Sequence, residues 1–185
     1  MHIHNYAMLH MSMIASMYTN TQISYTHIFI QGTSGSTIVR ALSHVLEHFA
    51  SMGCRPQRIT NFHAIRPPRL SVFDYLSRIF AYFSCGDECL VVGLVYIDRI
   101  MKLNPTFVVS APNIHRLTLT SVVVATKFMN DAFYSNKTHA RVGGVHVQEL
   151  NTLETKFLQL LNWRLHVMPE EYDQYCNHLL VALHA

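Results

Sequence analysis

Apolar residues recur at helical spacing in six stretches of this 185-residue chain, and no stretch shows the sustained alternation of a half-buried strand. The first, Thr37 to Met52, sets Ile38, Leu42, Val45, Leu46 and Phe49 on one stripe, with Gly53 to end it. Arg55-Pro56 through Pro67-Pro68 reads as a connector, because proline removes a backbone donor and drives its predecessor out of helical space. Ser71-Val72-Phe73-Asp74 has the form of a capping box, and Leu76, Ile79, Phe80 and Phe83 follow it on one face as far as Gly86. The next helix, capped by Ser84 or Asp87, runs to Leu103. Its Leu90, Val91, Leu94, Val95 and Ile97 leave almost no polar face, which predicts a place in the middle of a bundle. Another opens at Pro112-Asn113 and continues to about Asn130. After a polar loop and the Gly143-Gly144 pair, a further one spans about His146 to Asn162, with Leu150, Leu153, Phe157, Leu160 and Leu161 inward. Pro169 in a first turn, with Glu170 and Glu171 behind it, starts the last, whose stripe is Tyr172, Tyr175, Cys176, Leu179, Leu180 and Leu183. The predicted fold is all-α: a five-helix bundle over 67–185, an extra N-terminal helix and proline-containing connector over 37–66, and a poorly ordered low-charge tail over 1–36.

Composition narrows the function. Half of the residues are hydrophobic and 14% are charged, yet mean hydropathy is only +0.16 and no run of about 18 uncharged apolar residues occurs, so no membrane span is expected. The formal charge of +3 belongs to residues 1–66, where Arg40, Arg55, Arg58 and Arg66 face Glu47 alone. Residues 67–185 carry ten basic and ten acidic side chains, which leaves no overall electrostatic footprint for a nucleic-acid backbone. Cys54, Cys85, Cys89 and Cys176 are too few and too scattered for a disulfide scaffold, and no basic segment precedes a hydrophobic stretch at the start. An intracellular setting is therefore expected.

Chemistry-bearing motifs fail in turn. Gly32-Thr33-Ser34-Gly35-Ser36-Thr37 lacks the lysine of a phosphate loop, and His115-Arg116-Leu117 lacks the aspartate of a kinase catalytic loop. Cys85-x-x-x-Cys89 has no second Cys/His pair at zinc spacing, and the tail histidines His2, His4, His10 and His27 are irregularly placed. No metal, cofactor or enzymatic activity is expected. The informative residues are charges within apolar helices. Asp98 follows Val95-Tyr96-Ile97 and needs a partner, for which Arg69, Arg78 and Arg99 are candidates, although Arg99 can equally face water. A structural ion pair outweighs a catalytic role for Asp98 because no nucleophile or second carboxylate accompanies it. Lys127 ends the run Val122–Thr126, and Glu154 adjoins the Leu150/Leu153/Phe157 stripe; on spacing alone each is either a solvated flank or a charge emerging at an apolar surface. Asp131 lies at the terminus that disfavours carboxylates, a weak hint of an outside partner.

Several strings, taken in order, resemble one family. Ser71-Val72-Phe73-Asp74-Tyr75-Leu76-Ser77-Arg78-Ile79 and Tyr96-Ile97-Asp98-Arg99 are similar to the opening helices of a cyclin box, and Val124-Ala125-Thr126-Lys127 to the cyclin helix that ends in Ala-x-Lys. Arg141-Val142-Gly143-Gly144-Val145 followed by Glu149-Leu150-Asn151-Thr152-Leu153-Glu154 resembles the P/U-type cyclins, and the likeness spans about Phe62 to Leu180. The resemblance implies a single cyclin box and a non-catalytic regulatory subunit, monomeric when free, nuclear and/or cytoplasmic, that binds and activates a cyclin-dependent protein kinase in cell-cycle or nutrient-linked control. It implies that Lys127 and Glu154 hold the kinase C-helix while Val124, Phe128, Leu158, Trp163 and Leu165 form the apolar patch around it. By the same resemblance Asp131 meets a basic residue of the activation segment, and Arg69 pairs with Asp98 in the interior. The alternatives are a cyclin-like adaptor, or a transcription-factor-type helical module without kinase activation; the charge balance of 67–185 disfavours the second.

Overall fold

Seven helices account for the regular structure of the computed structural model, which describes residues 35–53, 59–66, 68–83 and 85–184. They are α1 (Gly35–Met52), α2 (Val72–Phe83), α3 (Asp87–Leu103), α4 (Ile114–Met129), α5 (Asn136–Gly143), α6 (Val147–Leu160) and α7 (Pro169–His184). Most of the expected tail, along with Cys54, Ser84 and part of the proline connector, lies outside the described residues. Among the described residues there is no strand, and no helix is long and apolar enough to cross a membrane.

The central pair is α3 against α4, as their nearly unbroken apolar character requires. Ten residues of α3 are buried, from Cys89 through Ile97 and then Ile100. Around this pair α1 packs on α2, α3 and α7, while α2, α5 and α6 close over α4. The N-terminal helix is therefore part of the shared core, with Ala41 and Leu46 fully buried. Two buried hydroxyls of α4 turn back on their own helix: Thr120 Oγ1 donates to Arg116 O at 2.7 Å and Ser121 Oγ to Thr118 O at 3.0 Å.

Local chemistry sets the ends. Ser71 caps α2 as expected, its Oγ accepting from the Asp74 N–H at 3.0 Å; the Asp74 carboxylate answers the Ser71 hydroxyl, accepting from Oγ at 2.6 Å. Asn113 precedes α4 but does not cap it with its side chain. It ties the preceding loop instead, donating to Val108 O and accepting from the Ser110 N–H, both at 2.8 Å.

The helix α5 stands where a polar loop is expected from sequence. Its eight residues include no acidic group and few apolar ones, so periodicity does not reveal it. It exists because its C-terminal end is well made. Gly144 adopts φ +69°, and the Val145 N–H donates to Ala140 O at 3.0 Å in a left-handed cap. Gly143 answers a different need: a Cβ there would lie 2.4 Å from Leu119 Cδ2, and its carbonyl accepts from Tyr75 Oη at 2.9 Å.

Candidate partner-binding face

Lys127 occupies the last turn of α4, the terminus that favours a cation, and Glu154 stands midway along α6. The packing of these two helices brings the side chains together. Lys127 Nζ donates to Glu154 Oε1 at 2.6 Å and to Oε2 at 2.8 Å. Asn136, the first residue of α5, donates to the same Oε2 at 2.7 Å and to Asn151 Oδ1 at 2.7 Å. An ammonium has three donors and a carboxylate about four acceptor positions, so this cluster leaves an N–H and a lone pair uncommitted. The side chains are 24% and 17% exposed, sheltered enough to strengthen a further contact yet reachable from outside. Lys127 Nζ also lies 5.9 Å from the Phe133 ring centre.

Large apolar side chains are left open in and just after the two helices that carry the pair. Phe128 is 50% exposed and Trp163 66%, joined by Met129, Phe133 and Tyr134. Of the patch expected from sequence, Phe128 and Trp163 are therefore accessible, Leu158 and Leu165 are half-buried, and Val124 belongs to the core at 4%. Met129, Phe133 and Tyr134 extend the patch beyond that expectation; the last two sit in a non-helical segment whose apolar residues have no period to betray them. Asp131 lies past the end of α4, exposed, in the same segment.

Trp163 is held in an uncommon backbone state. Asn162 and Trp163 have φ of 50° and 59°, both in the left-handed region, which costs a bulky residue on the order of 1 kcal/mol or more. The ends of this turn are tied on both sides. The Asn162 N–H donates to Gln159 O and the Trp163 N–H to Leu158 O, each at 3.1 Å, closing α6. Beyond it, Arg99 Nη1 donates to Arg164 O at 2.6 Å and Nη2 to His166 O at 2.8 Å, while Nη2 and Nε reach Glu171 at the start of α7. Tyr96 Oη donates to Leu165 O at 2.8 Å. Arg99 is thus the staple that fixes the Trp163 turn, and neither a solvated flank nor the partner of Asp98.

Behind the Lys127–Glu154 pair lies His139, fully buried, 4.4 Å from Phe83 and 6.4 Å from Tyr134 between ring centres. Burial, reinforced by the Lys127 charge and opposed by Glu154, pulls its pKa down to about 4, so it is neutral at neutral pH. Among the described residues neither ring nitrogen has a hydrogen-bond partner.

The expected Arg69–Asp98 pair is not formed. Asp98 Oδ2 meets Lys102 Nζ at 2.6 Å, one turn along the same helix, and accepts from Tyr175 Oη on α7. Burial and the Asp98 charge push the Tyr175 phenol well above its usual pKa, keeping it the donor. A lysine four residues away is closer to hand than an arginine across the bundle, and the i,i+4 spacing of Asp98 and Lys102 is the signal in sequence that marks it. Arg69 is exposed and lines a different groove, with Arg78 and Arg116.

The molecule is a helical-bundle domain that fixes a charged pair at its surface, with open aromatics in and after the two helices that carry the pair and a strained tryptophan in the turn after α6. The comparison with known families agrees with that class: the family model described as Cyclin matches residues 33–165, and the chain belongs to the cyclin family. Its relatives are P- and U-type cyclins. It is 37% identical over 151 residues to Cyclin-U4-1 of Arabidopsis thaliana, covering 78% of this chain and 75% of that protein. Cyclin-U1-1 of the same plant is 43% identical over 118 residues, 64% of this chain and 56% of its own. Cyclin-P4-1 of Oryza sativa subsp. japonica is 38% identical over 149 residues, 75% of this chain and 70% of its own.

Proposed function

We propose that this cyclin is a non-catalytic regulatory subunit that binds a cyclin-dependent protein kinase through the Lys127–Glu154 face and activates it. The observation that carries the proposal is the bidentate Lys127–Glu154 contact, retaining free hydrogen-bonding capacity among exposed apolar side chains. Such a pair is suited to gripping main-chain groups at the end of a partner helix, while Phe128, Trp163, Leu158 and Leu165 exclude water and strengthen each polar contact. Docking on this face presses the kinase C-helix inward, so that its glutamate meets the lysine that orients the ATP phosphates. The cyclin thereby biases a two-state element by its higher affinity for the active arrangement. Exposed Asp131, four residues past Lys127 in sequence, offers a carboxylate to a basic residue of the activation segment and partly replaces an activating phosphate.

The test is co-purification of the tagged chain with mass-spectrometric identification of what it carries, alongside the double variant Lys127→Glu, Glu154→Lys. The exchange keeps a complementary pair within the cyclin while inverting both charges offered to a partner. The expected result is a kinase catalytic subunit with the wild-type chain and none with the variant, at unchanged far-UV CD. Equal recovery by the folded variant assigns the interface elsewhere.

A further inference from the structure

At the far end of α4 from Lys127, a groove of about 450 Å³ opens between the segment 68–70, α2, the start of α4 and the α5–α6 turn. Three arginines line it: Arg69, Arg78 and Arg116. The concentration is unusual in a region, 67–185, whose charges otherwise balance. One carboxylate answers it, since Arg116 Nε donates to Glu149 Oε1 at 2.6 Å. Among the described residues Arg69 and Arg78 have no ion-pair partner, and Arg78 Nε is buried without a hydrogen-bond acceptor.

The site is built, with Arg78 in a defined place. Its guanidinium lies over the Tyr75 ring, 5.2 Å from the centre, and Tyr75 is itself anchored by its bond to Gly143 O. Arg78 Nη2 comes within 3.7 Å of where a Cβ on Gly144 would stand, so the bare glycine leaves room beside the guanidinium. His115, nine-tenths buried against Tyr75, bonds Leu70 O through Nε2 at 2.8 Å and so fixes the segment that carries Arg69. Burial lowers the His115 pKa, which makes it a neutral strut in this wall. Holding three guanidinium groups around one opening with a single carboxylate between them is unfavourable until an anion enters.

We propose that this groove is a docking site for a phosphorylated peptide segment, the phosphate being received by Arg78 and Arg69 with support from Arg116. The chemistry favours phosphate, because planar guanidinium groups pair with it through parallel charge-assisted hydrogen bonds. The size favours a peptide over a free ion. A volume of 450 Å³ is of the order that holds a ligand of many atoms, and Pro68, Leu70 and Val145 supply apolar wall for carbon. Arg116 and Lys127 are eleven residues apart on one helix, roughly 16 Å along its axis, so this site and the Lys127–Glu154 face can be occupied together. The inference does not rest on the kinase reading and is tested on the isolated chain.

The probe is a fluorescent nonapeptide pool with a central phosphothreonine and the other positions degenerate, followed by anisotropy against the same pool with threonine. The expected result is binding of the phosphorylated pool tighter by about tenfold or more, with the preference lost in the double variant Arg69→Gln, Arg78→Gln. Arg69→Gln alone, at an exposed position, is expected to weaken binding severalfold without loss of fold, and Arg78→Lys to retain only part of it because the fork is gone. A folded double variant that keeps the preference overturns the proposal, as does equal or absent binding of both pools. Inorganic phosphate is titrated separately: competition at millimolar concentration only is expected, and affinity equal to the peptide's shows a free-ion site and refutes the peptide assignment.

Discussion

Glu154 accepts two bonds from Lys127 and one from Asn136, so its carboxylate is oriented before any partner arrives. Ordering that is complete in the free protein is not charged to the binding step, which is the physical value of a pre-set pair. Trp163 is the complementary case, an apolar group held out in solvent by a turn that resists it. Its truncation to alanine is expected to leave the melting temperature within a degree or two, while weakening kinase binding by about 2 kcal/mol, roughly thirtyfold in Kd. Isothermal titration and thermal melting of the same variant check both halves. His139 yields a pH dependence. An unfolded histidine titrates near 6.5 and the folded one at about 4, so between these values the unfolded chain holds the extra proton. The contribution to stability is complete above about pH 6.5 and is lost as the pH falls toward 4. Burial lowers the pKa of His115 and His178 also, which adds loss of the same sign. Melting curves of His139→Leu across that range are expected to show a shallower acid limb than the wild type, and an unaltered slope contradicts the assignment.

At the level of elements, legibility depends on periodicity. The helices α2, α3, α4 and α6 are readable because a sustained apolar stripe of 3.6 period is the mark of a half-buried or buried helix, and the Ser71 cap sets a boundary by hydrogen-bond chemistry alone. The short α5 is not, since what sustains it is the fit of Gly143 against Leu119 and the left-handed Gly144, both matters of tertiary contact. The two glycines should therefore differ on substitution. Gly143→Ala drives a methyl into a buried leucine and is expected to cost about 1–3 kcal/mol; Gly144→Ala meets only Arg78 Nη2 at an ordinary contact distance of 3.7 Å but an unfavourable φ, and is expected to cost about 1 kcal/mol. Urea titrations of the two variants give the comparison, and equal costs would mean that Leu119 yields easily. Arg99 and Asp98 show the same limit from the other side. Both stand out in sequence as charges in an apolar helix, and Lys102 is legible as the i,i+4 partner of Asp98, yet the carbonyls of Arg164 and His166 that hold Arg99 and the Tyr175 hydroxyl that meets Asp98 depend on how the chain after α6 returns to α3.

For the whole molecule, the bundle separates two kinds of surface along α4. One end bears a charged pair with open aromatics in and after the helices that carry it, the other a groove in which three arginines meet an apolar wall of Pro68, Leu70 and Val145, and the buried core between them keeps each in place. The all-helical architecture and the closeness of Lys127 to Glu154 follow from pattern and from family resemblance. The full extent of the aromatic rim does not, because exposure is a property of the packed molecule and Met129, Phe133 and Tyr134 look in sequence like any other apolar residues. Activation is a claim about free energy, and it is tested most directly by the activity of the partner. The measurement is the phosphorylation rate of the co-purified kinase catalytic subunit, prepared alone and then supplied with this chain or with the Lys127→Glu, Glu154→Lys variant. A rise of about tenfold or more with the wild-type chain and none with the folded variant is expected. No rise with the wild-type chain, or an equal rise with both, contradicts the claim that this face switches the kinase.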